Sequence, residues 1–144
     1  MAHLTFPIVP AGLVVDVLVN LQASVLVPLR SSGAGPSPVP GKGLIDTGSD
    51  VTAVSLPILQ QLGIPVVRQT TTQGIGGSVL VNLYRVSLHI LDMQNVGLPW
   101  VSEASLLVTE LAPGIPFDVL LGMDVLLTCK MFLDGPARQF TVEP

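Results

Sequence analysis

Residues 44–50 read Leu-Ile-Asp-Thr-Gly-Ser-Asp, and this stretch decides how the rest of the chain is interpreted. Burying an unpaired carboxylate costs several kcal/mol, so an Asp that directly follows two apolar strand residues usually has a partner or a chemical task. Thr47 can hydrogen-bond nearby backbone, and Gly48 permits a tight turn and the close approach of another chain or a ligand. The motif occurs once in 144 residues, whereas the chemistry it suggests needs two such carboxylates.

The composition predicts one domain with a core of its own and an apolar surface to cover. Apolar residues make up 49 % of the chain and charged residues 11 %, and the mean hydropathy is +0.68. Polar residues and prolines interrupt the longest apolar runs before they reach the roughly 18 to 20 residues that a membrane-spanning helix needs. A large interface between subunits is therefore the better explanation of the apolar excess.

The charged residues and the single thiol exclude several classes of partner and site. The net charge is −4 and the six Lys and Arg are scattered singly, so there is no basic patch for nucleic acid. Cys129 is the only cysteine, which excludes an internal disulfide framework and a cysteine-based zinc site. The first seven residues lack the basic flank of a secretory signal. We therefore expect a cytoplasmic protein with neither nucleic acid nor a membrane as partner.

Most of the chain is predicted to form β-strands, because Val- and Leu-rich segments alternate with turn signals. Residues 13–20 and 23–29 are predicted to pair as a hairpin across Gln22. Residues 31–42 contain three Pro, three Gly and three Ser, which indicates a surface loop. The other predicted strands cover residues 43–46, 51–55, 66–72, 79–91, 100–110 and 117–121, followed by a hairpin around residues 134–135.

Two short helices interrupt the predicted strands. Ser55 caps the first, with Pro57 in its first turn and Gly63 at its end. The second covers residues 123–129, where Asp124 suits the first turn. Many short strands with two brief helices indicate a mostly β domain.

Three segments, in order along the chain, carry a resemblance to a known family. Residues 44–50 hold the apolar pair and Asp-Thr-Gly, residues 73–78 form a Gly-Ile-Gly-Gly hairpin tip, and residues 119–124 run from an apolar pair through Gly into a helix. Together they resemble the retropepsin-like aspartic proteases. The sequence of residues 122–126, Gly-Met-Asp-Val-Leu, is more similar to the cellular and bacterial members than to the retroviral ones.

The resemblance implies a mostly β fold, a closed six-stranded β-barrel with one or two short helices and a flap hairpin. Residues 1–144 would form a single domain, with residues 1–12 as an N-terminal segment and residues 31–42 as a surface loop. The family's active form is a homodimer, in which terminal strands are expected to pair between subunits.

The implied function is that of an aspartic endopeptidase, which hydrolyses peptide bonds in peptide or protein substrates. Asp46 and its symmetry mate would sit side by side, share a proton and activate one water molecule. The family needs neither a metal nor an organic cofactor. The alternative for Asp46 is a structural Asp that caps a turn.

The residues that follow Asp46 have roles suggested by the same resemblance. Thr47 resembles the threonine whose hydroxyl bonds across the two-fold axis, although it also suits a local turn. Gly48 would let the substrate backbone approach. A hydrogen bond donated by the Ser49 hydroxyl to the Asp46 carboxylate would favour the ionised form of that carboxylate.

Asp50 resembles the residue that holds substrate backbone N–H groups beside the catalytic centre. Retroviral members usually place an Arg where this chain has Met123. Asp50 is therefore expected either to be solvated or to pair with another arginine. The arginines considered are Arg30, Arg68, Arg85 and Arg138.

The glycine-rich hairpin is the flap candidate, because Gly74 and Gly76 allow it to hinge over a bound peptide and Ile75 would then contact that peptide. An apolar lining of the subsites is expected from Leu44, Val51, Ile75 and Leu120. Each of these side chains also suits the protein core.

Two rival functions stay open at this point. The first is a catalytically silent peptide-binding or dimerisation module of the same fold. The presence of Asp46, Thr47 and Gly48 together favours the enzyme over it. The second is a protease released from a longer precursor on which it mainly acts, which a start at Met1 disfavours.

Overall fold

The computed structural model describes residues 3–74, 76–94 and 100–144, and within these ranges the chain forms ten strands and three short helices. The strands are β1 (Leu4–Pro7), β2 (Val14–Leu21), β3 (Val39–Ile45), β4 (Ala53–Val54), β5 (Arg68–Gly74), β6 (Gly77–Leu91), β7 (Val101–Glu110), β8 (Val119–Leu121), β9 (Lys130–Asp134) and β10 (Gln139–Glu143). The helices are α1 (Ala23–Ser31), α2 (Leu56–Gln61) and α3 (Met123–Leu126).

Six of the strands close into a barrel. Neighbouring strands follow the order β2, β3, β8, β4, β7 and β6, and β6 returns to pair with β2. β3 pairs with β8 and β4 with β7 in parallel, and the other pairs of the ring are antiparallel. β5 extends the sheet beyond β6. The predicted mostly β fold with a closed barrel is confirmed.

Strand β2 illustrates how the barrel core forms. Alternate residues of a strand point to opposite faces, and Val15, Val17 and Val19 lie in the core with at most 1 % of their surface exposed. Asp16 and Asn20 on the opposite face are also buried. β2 is therefore covered on both sides, and its outer face carries polar groups that need partners.

The two ends of the chain meet in a second, smaller sheet. β1 pairs with β10, and β10 pairs with β9. Phe6 stacks on Phe140 with ring centroids 5.4 Å apart, which fixes the N-terminal segment onto the C-terminal hairpin of the same chain. β9 lies at the edge of this sheet, where Phe132 and Leu133 are exposed.

The hairpin predicted across Gln22 is wrong, because its second half is helix α1. Of the residues in α1, only Leu26 is buried, while Val25 and Val27 are exposed. A short apolar run can suit either a strand or a helix, and the β-branched valines favoured a strand. The burial of Leu26 favours the helix. The described residues therefore contain three helices, whereas one or two were expected.

The loop predicted at residues 31–42 is shorter in the structure. Helix α1 includes Ser31, and β3 already begins at Val39. Gly41 lies in this strand, where a Cβ atom would come within 2.8 Å of the Asp118 Cβ. This glycine is therefore needed for close packing, whereas the sequence suggested a turn.

The remaining elements differ from the predictions mainly at their ends. α2 follows Ser55 as predicted, although the Ser55 side chain makes no capping hydrogen bond. β4 is reduced to two residues and α3 to four. The C-terminal hairpin forms between β9 and β10 as predicted. Within the described ranges, no helix has both the length and the apolar character needed to span a membrane.

A polar pair between the buried Tyr84 and the half-buried Glu110 links β6 and β7 in the barrel wall. The Tyr84 hydroxyl donates a hydrogen bond to the Glu110 carboxylate, which also accepts one from Asn82 at 3.1 Å. Burial, followed by the bond to Glu110 and its negative charge, raises the pKa of Tyr84 to about 12. The bonds from Tyr84 and then Asn82 lower the pKa of Glu110.

We expect Tyr84 to ionise near pH 12 in the folded protein, against an ordinary value of 10.0. The unfolded chain loses this proton first, so stability is lost as the pH rises from 10.0 towards about 12. Tyr84 is the only tyrosine, and tyrosinate absorbance therefore measures it directly. Glu110→Gln should lower the midpoint and Glu143→Gln should not. A wild-type midpoint close to the ordinary value would contradict the buried pair.

Candidate active site

Asp46 directly follows the end of β3 and is held there by backbone hydrogen bonds. Its N–H donates to the Leu121 carbonyl at 2.9 Å, and its carbonyl accepts from the Ser49 N–H at 3.2 Å. Its carboxylate Oδ1 accepts the Gly48 N–H at 2.9 Å. The side chain is half-buried in the single chain. The carboxylate is thus fixed in orientation while one side remains accessible.

The loop after Asp46 packs tightly against the turn between β8 and α3. The Met123 N–H donates to the Ser49 carbonyl at 2.7 Å. A Cβ atom on Gly122 would lie 2.8 Å from that same carbonyl oxygen and 2.9 Å from the carbonyl carbon of Val51. Only glycine leaves room for this backbone approach.

The buried Thr52 and the half-buried Asp124 join the same two segments through their side chains. Thr52 is fully buried, and its hydroxyl donates to the Asp124 carboxylate at 2.7 Å and accepts the Gly122 N–H at 3.1 Å. The Thr52 N–H donates to the second carboxylate oxygen at 3.0 Å. Asp124 is therefore a positioning residue for the loop that carries Asp46.

This role of Asp124 and of Thr52 was not predicted from the sequence. The only expectation for Asp124 was that it suits the first turn of a helix. The two residues are 72 positions apart, and neither carries a local pattern that predicts their pairing. Only the Asp-Thr-Gly and apolar-apolar-Gly motifs, considered as neighbours in space, could have suggested it.

The aspartyl protease family model matches residues 27–125, which is more than half of the chain. The chain belongs to the aspartyl protease family. Among solved structures, a crystal structure of a retropepsin-like aspartic protease from Rickettsia conorii is similar to it, with a TM-score of 0.57 and 13 % identity over 97 % of this chain and 89 % of the other. This likeness confirms the predicted retropepsin-like fold.

A second solved structure and the curated proteins complete the comparison. The solution structure of the simian foamy virus (mac) protease matches with a TM-score of 0.46 and 14 % identity, over 80 % of this chain and 92 % of the viral one. No curated protein matches the chain.

In this member of the aspartyl protease family, Ser49 does not make the hydrogen bond that was expected of it. Its hydroxyl donates to the Val51 carbonyl at 2.8 Å, and not to the Asp46 carboxylate. The turn that carries Ser49 presents a nearby backbone acceptor, which satisfies the hydroxyl locally. Ser49 therefore stabilises the loop and has no direct contact through which it would favour the ionised form of Asp46.

Of the two alternatives for Asp50, solvation or pairing with an arginine, the structure has the solvated side chain. Its side chain is exposed, and it makes no hydrogen bond or ion pair with any residue that the structure describes. None of the four arginines considered as partners contacts it. Its charge is consequently available to a bound molecule.

The other predicted site residues lie around Asp46 with different degrees of exposure. Thr47 and Gly48 are exposed beside it. Leu44 and Leu120 are register partners in β3 and β8 and are half-buried. Val51 is 41 % exposed.

Val51 reaches a small cavity below the hairpin of β5 and β6. The cavity has a volume of about 150 Å³, and Leu44 and Leu120 are not part of its lining. The Thr109 hydroxyl is buried there without a hydrogen-bond partner among the described residues. Sequence reasoning gave Thr109 no role. The lining consists of Val51, Thr70, Thr71, Thr72, Val81, Leu83 and Thr109.

The flap candidate forms a hairpin, of which the structure describes all but the tip. Gly74 pairs with Gly77 at the last rung between β5 and β6, and Gly76 lies in the turn. Ile75, which was expected to contact substrate, lies outside the described residues. Across residues 3–74, 76–94 and 100–144, no group of three His, Cys, Asp or Glu side chains could hold a metal ion.

Gly122→Ala is expected to lower the free energy of unfolding by roughly 1–3 kcal/mol, because the added methyl group meets backbone that cannot move without opening the loop. Gly135→Ala is the matched control, since nothing lies within 4 Å of a Cβ atom there. Urea denaturation of both variants measures the difference. Equal stability of the two would show that the loop and the turn are not in close contact.

Proposed function

We propose that this chain is an aspartic endopeptidase in which Asp46 from each of two identical subunits activates one water molecule. The observation that carries the proposal is the placement of Asp46. It follows a barrel strand, its carboxylate is oriented by the Gly48 N–H, and its motif occurs once in the chain. Membership of the aspartyl protease family supports the same chemistry.

The proposed reaction follows from the properties of two adjacent carboxylates. Like charges at close range disfavour double ionisation, so the pair holds one proton between its oxygens. The ionised member takes a proton from water while the protonated member donates to the carbonyl oxygen of the scissile amide. The tetrahedral intermediate then collapses as the carboxyl that took the water proton gives it to the leaving nitrogen, which departs as the amine, while the other carboxylate regains its proton from a hydroxyl of the intermediate. The Gly48 N–H keeps one carboxylate oxygen oriented throughout.

The proposed substrate contacts lie on both sides of this pair. Gly48 and Thr47 are exposed next to Asp46, and Asp50 has a free carboxylate to accept substrate N–H groups. The hairpin of β5 and β6 would act as the flap, closing over the peptide through Gly74, Ile75 and Gly76. The volume of the Val51 cavity, about 150 Å³, suits a small or medium side chain, with the Thr109 hydroxyl as a polar contact.

A homodimer is proposed because one chain supplies one catalytic Asp and an apolar surface. Leu127, Phe132 and Leu133 are each more than half exposed in the single chain. Leu127 follows the end of α3, and Phe132 and Leu133 lie on the edge strand β9. A second copy of the chain would cover these side chains. We place this enzyme in the cytoplasm, with peptides or proteins as substrates.

Asp46→Asn is expected to reduce kcat for peptide cleavage by roughly 10²–10⁴-fold, because it removes the shared proton chemistry. Cleavage of a peptide library, followed by mass spectrometry across acid to neutral pH, measures this loss. Asp92→Asn removes the charge of a half-buried side chain after β6, leaves an oxygen to accept the Gln94 N–H, and should retain activity. If the wild-type dimer binds peptides but cleaves none, the protein is a silent binding module of the same fold.

Mixed subunits test the dimer separately from the chemistry. When wild-type and Asp46→Asn chains are unfolded, mixed and refolded at constant total concentration, activity should fall with the square of the wild-type fraction, because one inactive subunit disables a pair. Mixing with Asp92→Asn chains should leave activity unchanged. A linear decrease would mean that each chain works alone.

A further inference from the structure

A surface cavity lies between helix α1 and the outer face of the barrel, away from the Asp46 loop. Its volume is about 370 Å³, which falls in the range of small-molecule sites. Strands β2, β6 and β7 form its floor and α1 forms one wall. Its lining consists of Leu18, Asn20, Ala23, Leu26, Val27, Arg30, Pro38, Ser87, His89, Trp100, Ser102 and Ala104.

Ser87 on the cavity floor has an unused hydroxyl group. The residue is only 4 % exposed, and its Oγ has no hydrogen-bond partner among the described residues. Its register partner on β2 is Asn20. The Asn20 side chain is already hydrogen-bonded, since it donates to the Pro36 carbonyl and accepts from the Leu21 N–H. Buried polar groups in folded proteins are almost always paired, so the unpaired hydroxyl of a residue in the cavity lining indicates a missing partner.

The strand that carries Ser87 is irregular at this point. The register between β6 and β7 shifts between Val86 and Leu88. Such bulges re-aim single side chains and are frequent next to binding sites. The bulge and the unpaired hydroxyl therefore coincide at the same residue.

Arg30 gives the cavity a positive charge that nothing in it balances. Its guanidinium makes no hydrogen bond or ion pair with the part of the chain that the structure describes. No Asp or Glu is among the residues that line the cavity, although the chain as a whole carries ten acids and a net charge of −4. Arg30 is itself exposed, and the cavity thus offers an anionic ligand one cationic side chain and no competing acid.

Aromatic rings line the mouth of the cavity. His89 and Trp100 stack with ring centroids 4.8 Å apart, and the His89 Nδ1 lies 2.7 Å from the Ser102 hydroxyl. Burial, followed by the charge of Arg30, lowers the pKa of His89, which favours the neutral imidazole. The stacked pair and Leu26 are parts of the lining against which a flat apolar group can pack.

We propose that this cavity binds a small carboxylate with a flat apolar body, held by Arg30 and Ser87 and packed against Trp100. The guanidinium pairs with the carboxylate in the two-pronged geometry that arginine favours. The Ser87 hydroxyl donates to the same carboxylate or to a polar group near it. The inference is independent of the proposed proteolysis, since it uses none of the residues around Asp46.

Trp100 is the only tryptophan in the chain, so its fluorescence and its indole N–H resonance both report on the cavity. Phenylacetate serves as the probe, with phenylacetamide as its uncharged match and inorganic phosphate as an anion without a flat body. We expect phenylacetate to give a saturable change in both signals, and the other two compounds to bind at least about tenfold more weakly.

Variants of the two polar residues identify the contact. Arg30→Gln should weaken phenylacetate binding by roughly 10- to 100-fold, since a bond to a charged group is lost. Ser87→Ala should weaken it while leaving stability unchanged or higher, because the hydroxyl has no partner in the free protein. Arg138→Gln, at the distant β9–β10 turn, and Asp46→Asn should bind phenylacetate as the wild type does.

Three results would overturn the proposal. The first is the absence of any saturable change at Trp100, and the second is equal binding of phenylacetate and phenylacetamide. The third is unchanged phenylacetate binding in both Arg30→Gln and Ser87→Ala. If phosphate bound as tightly as phenylacetate, the ligand would not need a flat apolar body, and that part of the proposal would be wrong.

Discussion

The contact between the loop after Asp46 and the turn before α3 is the constraint on which the rest of the site depends. β3 and β8 are parallel neighbours, so Asp46 and Gly122 follow their strands at the same edge of the barrel. Their backbones approach so closely that a side chain at Gly122 would collide with the loop. The orientation of the Asp46 carboxylate is consequently a property of two strands and two loops together.

Two of the places where polar groups are buried differ in their hydrogen bonding. At the Asp46 loop, the Asp124 carboxylate accepts from the Thr52 N–H and hydroxyl and from the Val125 N–H. Under helix α1, the Ser87 hydroxyl has no partner among the described residues. A fully paired network makes a segment rigid, whereas an unpaired group leaves binding energy available to a ligand. The first arrangement suits a support for catalysis and the second suits a binding site.

The proposed enzyme explains why a short chain can be so apolar. Closing six strands into a ring buries the inner face of each strand, and α1 covers part of the outer face. Apolar side chains still remain exposed on the edge strand β9. In the proposed dimer, the association of two chains would bury these side chains and would also bring the two Asp46 residues together.

Local sequence was sufficient where a pattern has a single structural solution. The apolar pair before Asp-Thr-Gly predicted a strand that ends at the acid, and the three ordered motifs predicted the barrel fold and the family. Glycine and proline signals located helix α2 and the C-terminal hairpin. Sequence failed at residues 23–29, where a short apolar run with valines suits a strand and a helix equally, and at Gly41, which is needed for packing against Asp118.

The sequence by itself therefore determined the fold class and the family, and it located Asp46 at the end of a strand. Tertiary structure alone decided that Asp124 holds the loop that carries Asp46, that Ser49 bonds to Val51, and that Ser87 is among the residues lining a cavity beside α1. These features depend on groups far apart in the chain meeting within hydrogen-bond distance. Spacing along a sequence fixes only local geometry, and it carries no information on which distant donor meets which acceptor.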